Sequence, residues 1–237
     1  MKRKEILAGV LAVMLGVGII GCGQSAETQH KNETTAQADA ETTKEEAAGS
    51  QTEGEAVSEI LPAYEYPGPE LFYSVVYRYV VDTFGNNYDA TDVCIPSVSE
   101  IYLDESDRSD IKLYGDFWIF NYNLDGDTLV TQSGGDYPGV MHLKTLDDSP
   151  EGYEVTSFDL VADGSDFDKT AKEYFGEHYD AFMKIYSDQD AKEEVRAQII
   201  SNYVAANELS ITQYQDSGWD PVKLPAENID SFYSQLD

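Results

Sequence analysis

The sequence predicts an α+β domain, on three observations. Residues 71–84 are apolar around nearly the whole circumference of a helix. Trp118, Phe120, Tyr122 and Leu124 alternate with Ile119, Asn121 and Asn123, the period of a strand. Residues 167–206 return to helical spacing. The layout expected is one mostly apolar helix cradled by a curved antiparallel sheet of four to five strands, followed by a C-terminal helix pair.

The elements follow in order. Gly68-Pro69-Glu70 is a helix start, with proline at the first helical position, and Gly85 is a stop. Between them only Ser74, Arg78 and Asp82, spaced by four, make a polar stripe. Such a helix must be buried on most sides. Val93 to Leu103 reads as a strand in which Pro96 marks an edge or bulge. Asp125-Gly126-Asp127 turns the alternating strand back into Thr128 to Gln132, a hairpin. Gly134-Gly135-Asp136-Tyr137-Pro138-Gly139 reads as a second turn-rich loop. Val140 to Leu146 and Tyr153 to Val161 are the next strands.

Ser165-x-x-Asp168 has the form of a capping box. Phe167, Ala171, Phe175, His178, Phe182 and Ile185 then share one stripe. A second helix is expected from about Asp188 to Ala206, with Ala191, Val195, Ile199, Tyr203 and Ala206 inward and Asn207 as a left-handed stop. The tail holds Leu209 to Tyr214 and Gly218-Trp219-Asp220-Pro221-Val222.

The amino terminus is of another kind. Lys2, Arg3 and Lys4 precede an apolar run from Ile6 to Ile20, too short for the roughly 20 residues that a bilayer span needs. The run ends in Ile19-Ile20-Gly21-Cys22, which resembles the lipobox of bacterial lipoproteins. The resemblance implies that residues 1–21 are a signal peptide, and that Cys22 becomes the first residue and carries acyl chains on its thiol. Two or three such chains hold a protein on a membrane, whereas one gives marginal binding. Residues 22–59 are then the lipidated cysteine and an acidic, disordered tether almost free of large apolar side chains. Its root-mean-square span is roughly 35 Å. Residues 60–237 form the globular α+β domain. The element order over about 65–165 is similar to cystatin-like and nuclear-transport-factor-like domains.

Composition narrows the partners. There are 15 Lys+Arg against 45 Asp+Glu, a formal net charge of −30. Nucleic acid needs a basic footprint and is excluded. Direct docking of the domain on anionic lipid is disfavoured, while cations or a basic protein are favoured. With Cys22 lipidated, Cys94 has no disulfide partner, so the core must hold the fold.

Candidate chemistry is sparse. Asn121-x-Asn123-x-Asp125-Gly126-Asp127 mimics the start of a calcium loop, with Asn123, Asp125 and Asp127 as candidate ligands, but the twelfth position counted from Asn121 is Gln132 instead of a bidentate Glu. Calcium is therefore the one cofactor entertained, with a plain hairpin turn as the simpler reading. Tyr64, Tyr66, Tyr137 and Trp219 fall in expected loops or termini, where exposed rings can grip a glycan or a peptide. The three histidines, His30, His142 and His178, have no zinc-site spacing. No catalytic residue is assigned. The sequence leads to a membrane-anchored extracytoplasmic lipoprotein with a non-catalytic binding or accessory domain. The alternatives are a carboxylate-dependent enzyme, whose two acids would need their pKa values pushed apart, and a cell-surface structural or interaction module.

Overall fold

One strand organises the molecule. In the computed structural model, which describes residues 60–234, Thr128–Thr145 runs unbroken for 18 residues. The signal segment, Cys22 and the tether up to residue 59 lie outside the described residues. The described residues form one compact unit. It is mixed α and β, with a six-stranded sheet.

The elements in chain order are α1 (Leu71–Phe84), β1 (Val93–Asp104), β2 (Ile111–Asp125), β3 (Thr128–Thr145), β4 (Tyr153–Leu160), α2 (Phe167–Phe175), α3 (Tyr179–Tyr186), α4 (Gln189–Ala206), β5 (Gln213–Gln215), β6 (Val222–Lys223) and α5 (Ile229–Tyr233). The sheet runs β1-β2-β3-β5-β6, and β4 pairs with the far half of β3. β1, β2, β3 and β4 form an antiparallel meander, whereas β5 joins β3 in parallel. The expected sheet of four or five antiparallel strands thus gains a sixth strand and a parallel pair.

The expected loop at 134–139 is instead the middle of β3. Gly134 to Gly139 pair in register with Phe120 to Gly115 of β2. These glycines serve close approach, not turning. A Cβ at Gly134 would stand 2.8 Å from the Ile119 carbonyl oxygen, and one at Gly139 2.4 Å from that of Asp159. Pro138 is tolerated because β5 covers only Thr128–Val130 and β4 begins at Gly139, so this stretch has β2 as its one strand neighbour.

Helix α1 keeps the predicted stripe. Phe72, Tyr73, Val75, Val76, Tyr77, Val80 and Phe84 are buried, while Arg78 and Asp82 face water. It packs on β1, β2 and β4. Phe84 stacks on Tyr137 at 4.1 Å with nearly parallel rings, and Phe158 meets both Phe84 and Phe117 edge-on at 5.2 Å. Cys94 is half-buried on this side, and burial pushes its thiol up to about 11, so it stays protonated.

The later helices depart from the expected pair. Gly176, at φ 51° and ψ −118°, breaks the stripe into α2 and α3. The capping box does not form: α2 starts at Phe167 without a side-chain cap, and Asp168 instead accepts from Lys172 and Tyr179. His178 stacks on Tyr102 at 4.0 Å. Asp188 caps α4 by accepting from the Ala191 amide at 3.1 Å. At its far end the left-handed residue is Glu208, φ 54°, one place beyond the expected Asn207. Among the described residues no helix is long and apolar enough to cross a membrane.

Candidate functional site

The opposite face of the sheet carries the unexpected chemistry. Period-two alternation along β2 sends Phe117 and Ile119 toward α1, and Asp116, Trp118 and Phe120 toward α4. Helix α4 does not present the expected Ala191 and Ala206, which are exposed. It is turned so that Lys192 and Arg196, one helical turn apart, lie buried on the sheet with Ile199, Ile200 and Tyr203. Buried cations need matched anions, and the strands supply them.

Arg196 is fully satisfied. Its Nε donates to the Tyr122 hydroxyl at 2.8 Å, and its two Nη atoms donate to both oxygens of Asp216 at 3.0 and 2.8 Å. Nη2 also donates to Thr131 at 2.8 Å, and the guanidinium lies 3.9 Å from the Phe120 ring centroid. Burial opposes its charge, but Tyr122 and Asp216 together raise its pKa further. The hydrogen bonds from Arg196 hold Asp216 below the usual carboxylate range.

Lys192 is different. Its Nζ lies 2.8 Å from Asp116 Oδ2, at ion-pair distance but without the alignment of a hydrogen bond. The ammonium sits 4.3 Å from the Tyr186 ring centroid and 5.0 Å from that of Trp118. The Asp116 side chain is completely buried, and apart from the neighbouring Asp136 carboxyl neither oxygen has an aligned donor. Asp136, across the ladder beside Trp118, completes the cluster. Burial, and next the neighbouring Asp116, push its carboxyl up to about 9, with Lys192 and Tyr186 opposing. Asp136 is therefore a protonated acid at neutral pH. The cavity beside Lys192, also lined by Ser97, Ser99, Trp118 and Phe120, is only about 20 Å³, room for about one water.

A larger cleft opens next to this cluster. About 410 Å³ in volume, it runs along Val98–Ile101 of β1 and is walled by Ile185, Ala191, Val195 and Phe232. Glu100 on its floor accepts a 2.6 Å hydrogen bond from the Tyr73 hydroxyl, and burial raises its pKa. β1 ends the sheet, so the cleft lies where no further strand pairs.

The residues marked out from sequence are scattered. Tyr64 is buried between Tyr77 and Tyr203, at 6.0 and 6.1 Å. Tyr66 packs on Tyr77 at 5.0 Å and Tyr233 at 4.7 Å. Tyr137 is covered by Phe84 and bonded to the Tyr88 hydroxyl at 2.8 Å. These three are core packing; Trp219 alone of the four stands out, 75 % exposed. Asn123 accepts from the Asp92 amide, Asp127 accepts from Thr212 and Thr128, and Asp125 closes the hairpin opposite Thr128. Among the described residues no group of three or more His, Cys, Asp or Glu side chains is placed to hold a metal ion.

Sequence reasoning passed over Asp116, Asp136, Lys192 and Arg196. The usable signal was Asp116 on the same strand face as Trp118, Phe120 and Tyr122, an acid that such a face tolerates only with a cation. Comparison with protein-family models, curated proteins and solved structures gives no significant match.

Proposed function

We propose that the chain is a membrane-anchored extracytoplasmic lipoprotein whose domain binds an extended peptide along β1 without catalysing a reaction. The anchor rests on the run into Ile19-Ile20-Gly21-Cys22. The binding half rests on one observation, the 410 Å³ cleft beside the terminal strand, lined by apolar and charged side chains. Its volume falls in the range of small-ligand sites. Pro96 and the bulge at Glu100/Tyr102 blunt the edge on either side, which leaves Val98–Glu100 for strand addition. The lining itself is balanced, with Glu100 and Asp188 against Lys184 and Lys192, while the acidic chain as a whole favours a peptide with basic as well as apolar side chains. The same proposal reads α1 as an apolar helix cradled by a curved sheet, with the later helices as a further layer. The burial of most of its circumference against β1, β2 and β4 supports this.

A carboxylate enzyme has one supporting feature, the Asp136 carboxyl beside Asp116, raised by burial and by that neighbour. The adjoining cavity of about 20 Å³ holds no organic substrate.

Two measurements test the proposal. Cys22→Ala should move the protein out of the membrane fraction while its thermal transition is retained; an unchanged membrane fraction would refute the anchor. A thermal-shift panel on the full chain should compare an alternating Val-Lys peptide, oligosaccharides and calcium chloride. The peptide is expected to raise the midpoint, by the equivalent of about 2.7 kcal/mol at 100 times its Kd. Val195→Glu should abolish the effect. A response to oligosaccharide or calcium alone would overturn the peptide reading.

A further inference from the structure

We propose that Lys192 and Asp116 are joined by an isopeptide bond, formed by condensation of the Lys192 amine with the Asp116 carboxyl under the Asp136 side chain. This inference is independent of what the cleft binds.

Four observations converge. The amine and the acid are 2.8 Å apart, with side chains 9 % and 0 % exposed. Asp116 is closed to solvent, and Lys192 reaches it from the wall of the cleft. The buried Asp116 carboxylate has no aligned donor beyond the neighbouring Asp136 carboxyl, and it depends on Lys192 and Asp136 to offset its burial. Conversion to an amide removes both buried charges. Aromatic rings of Trp118 and Tyr186 flank Lys192 Nζ at 5.0 and 4.3 Å and hold the amine against Asp116, the positioning a nucleophile needs. Finally, Asp136 provides an acid that is still protonated at neutral pH, placed against Asp116.

The step balances without oxidant or cofactor. A proton passes from the ammonium to the Asp116 carboxylate, which leaves a neutral amine and a neutral acid. The Nζ lone pair forms a bond to Asp116 Cγ, while the Asp136 hydroxyl donates to the oxygen that becomes negative. Asp136 then takes a proton from the nitrogen and passes one to the departing hydroxyl. The C–O bond breaks and one water leaves, with Asp136 protonated again. The net change is an ammonium and a carboxylate giving an amide and water. The cavity of about 20 Å³ lined by Lys192 has room for that one molecule.

Tryptic mapping of the full chain, folded and isolated from membranes, tests this. Acylated Lys192 resists trypsin, so Leu113–Lys144 should appear joined to Ile185–Arg196, lighter than the two together by one water. Recovery of both peptides free, with cleavage after Lys192, would overturn the proposal without any variant. Lys192→Ala should abolish the joined species. Asp116→Asn should give the same joined mass through loss of ammonia, and recovery of its 113–144 peptide unjoined from folded protein would count against the mechanism. Asp136→Asn should keep the circular dichroism spectrum yet accumulate the unjoined chain. Complete joining in that variant would remove Asp136 from its role.

Discussion

The two faces of the sheet solve the same packing problem by opposite means. Beneath α1 the contact is mostly apolar, with Phe84 on Tyr137, Phe158 against Phe84 and Phe117, and Val76 and Val80 fully buried. Beneath α4 two cations are threaded between aromatic rings and answered by Asp116 and Asp216. The first arrangement loses energy in proportion to the volume removed. The second is brittle, since removing one partner strands a charge. Stability is thus non-directional on one side and specific on the other.

The sharpest way to break this contrast is Asp116→Ala, which removes the proposed crosslink and leaves the Lys192 ammonium buried without a partner. A loss of about 5 kcal/mol is expected in denaturant unfolding, the upper end for a broken buried pair. Phe84→Ala, on the apolar side, should cost about 3–4 kcal/mol through the cavity it leaves, with no new dependence on pH. Gly139→Ala drives a methyl into the Asp159 carbonyl and should cost about 2 kcal/mol.

The pH response sharpens the comparison further. Asp136 has a folded pKa of about 9, raised above its unfolded value. Its contribution is complete below the ordinary carboxylate range and is lost as pH rises toward 9, because the unfolded chain gives up the proton first. The slope is at most about 1.4 kcal/mol per pH unit. Asp216 acts in the opposite sense: held below its usual range, it contributes above that range and loses its contribution on acidification. Urea midpoints measured between pH 5 and 9 should fall in the parent and stay nearly level in Asp136→Asn. Last and smallest, Trp219→Ala should change stability by less than about 0.5 kcal/mol, as its ring is largely in water.

The apolar side was the legible one. A helix with a single polar stripe and a strand with strict alternation follow from periodicity, and α1 and β2 formed as read. Two things were hidden. Glycine and proline at 134–139 were read as a turn because sequence cannot show that a neighbouring backbone is pressed against them. The inward face of α4 was read from its aliphatic residues, whereas acids on β2 and in the Gln213–Asp216 segment drew Lys192 and Arg196 inward. Ligand candidates chosen for ring type failed for a related reason: Tyr64, Tyr66 and Tyr137 lie outside the helices, but their rings are taken by the core. A side chain's partner, when it is far away in the chain, leaves no local trace.

The parallel pairing of β5 with Thr128–Val130 has a consequence for biogenesis. An antiparallel hairpin can close as soon as its two arms emerge, but this three-residue strand arrives only after all of α2, α3 and α4 has been made. A chain halted after α4 would therefore display the start of β3 as a bare, sticky margin next to Leu129, a hydrophobic residue fully covered in the finished protein. Carboxy-terminal truncation before β5 should therefore leave that margin open and make the protein prone to aggregation.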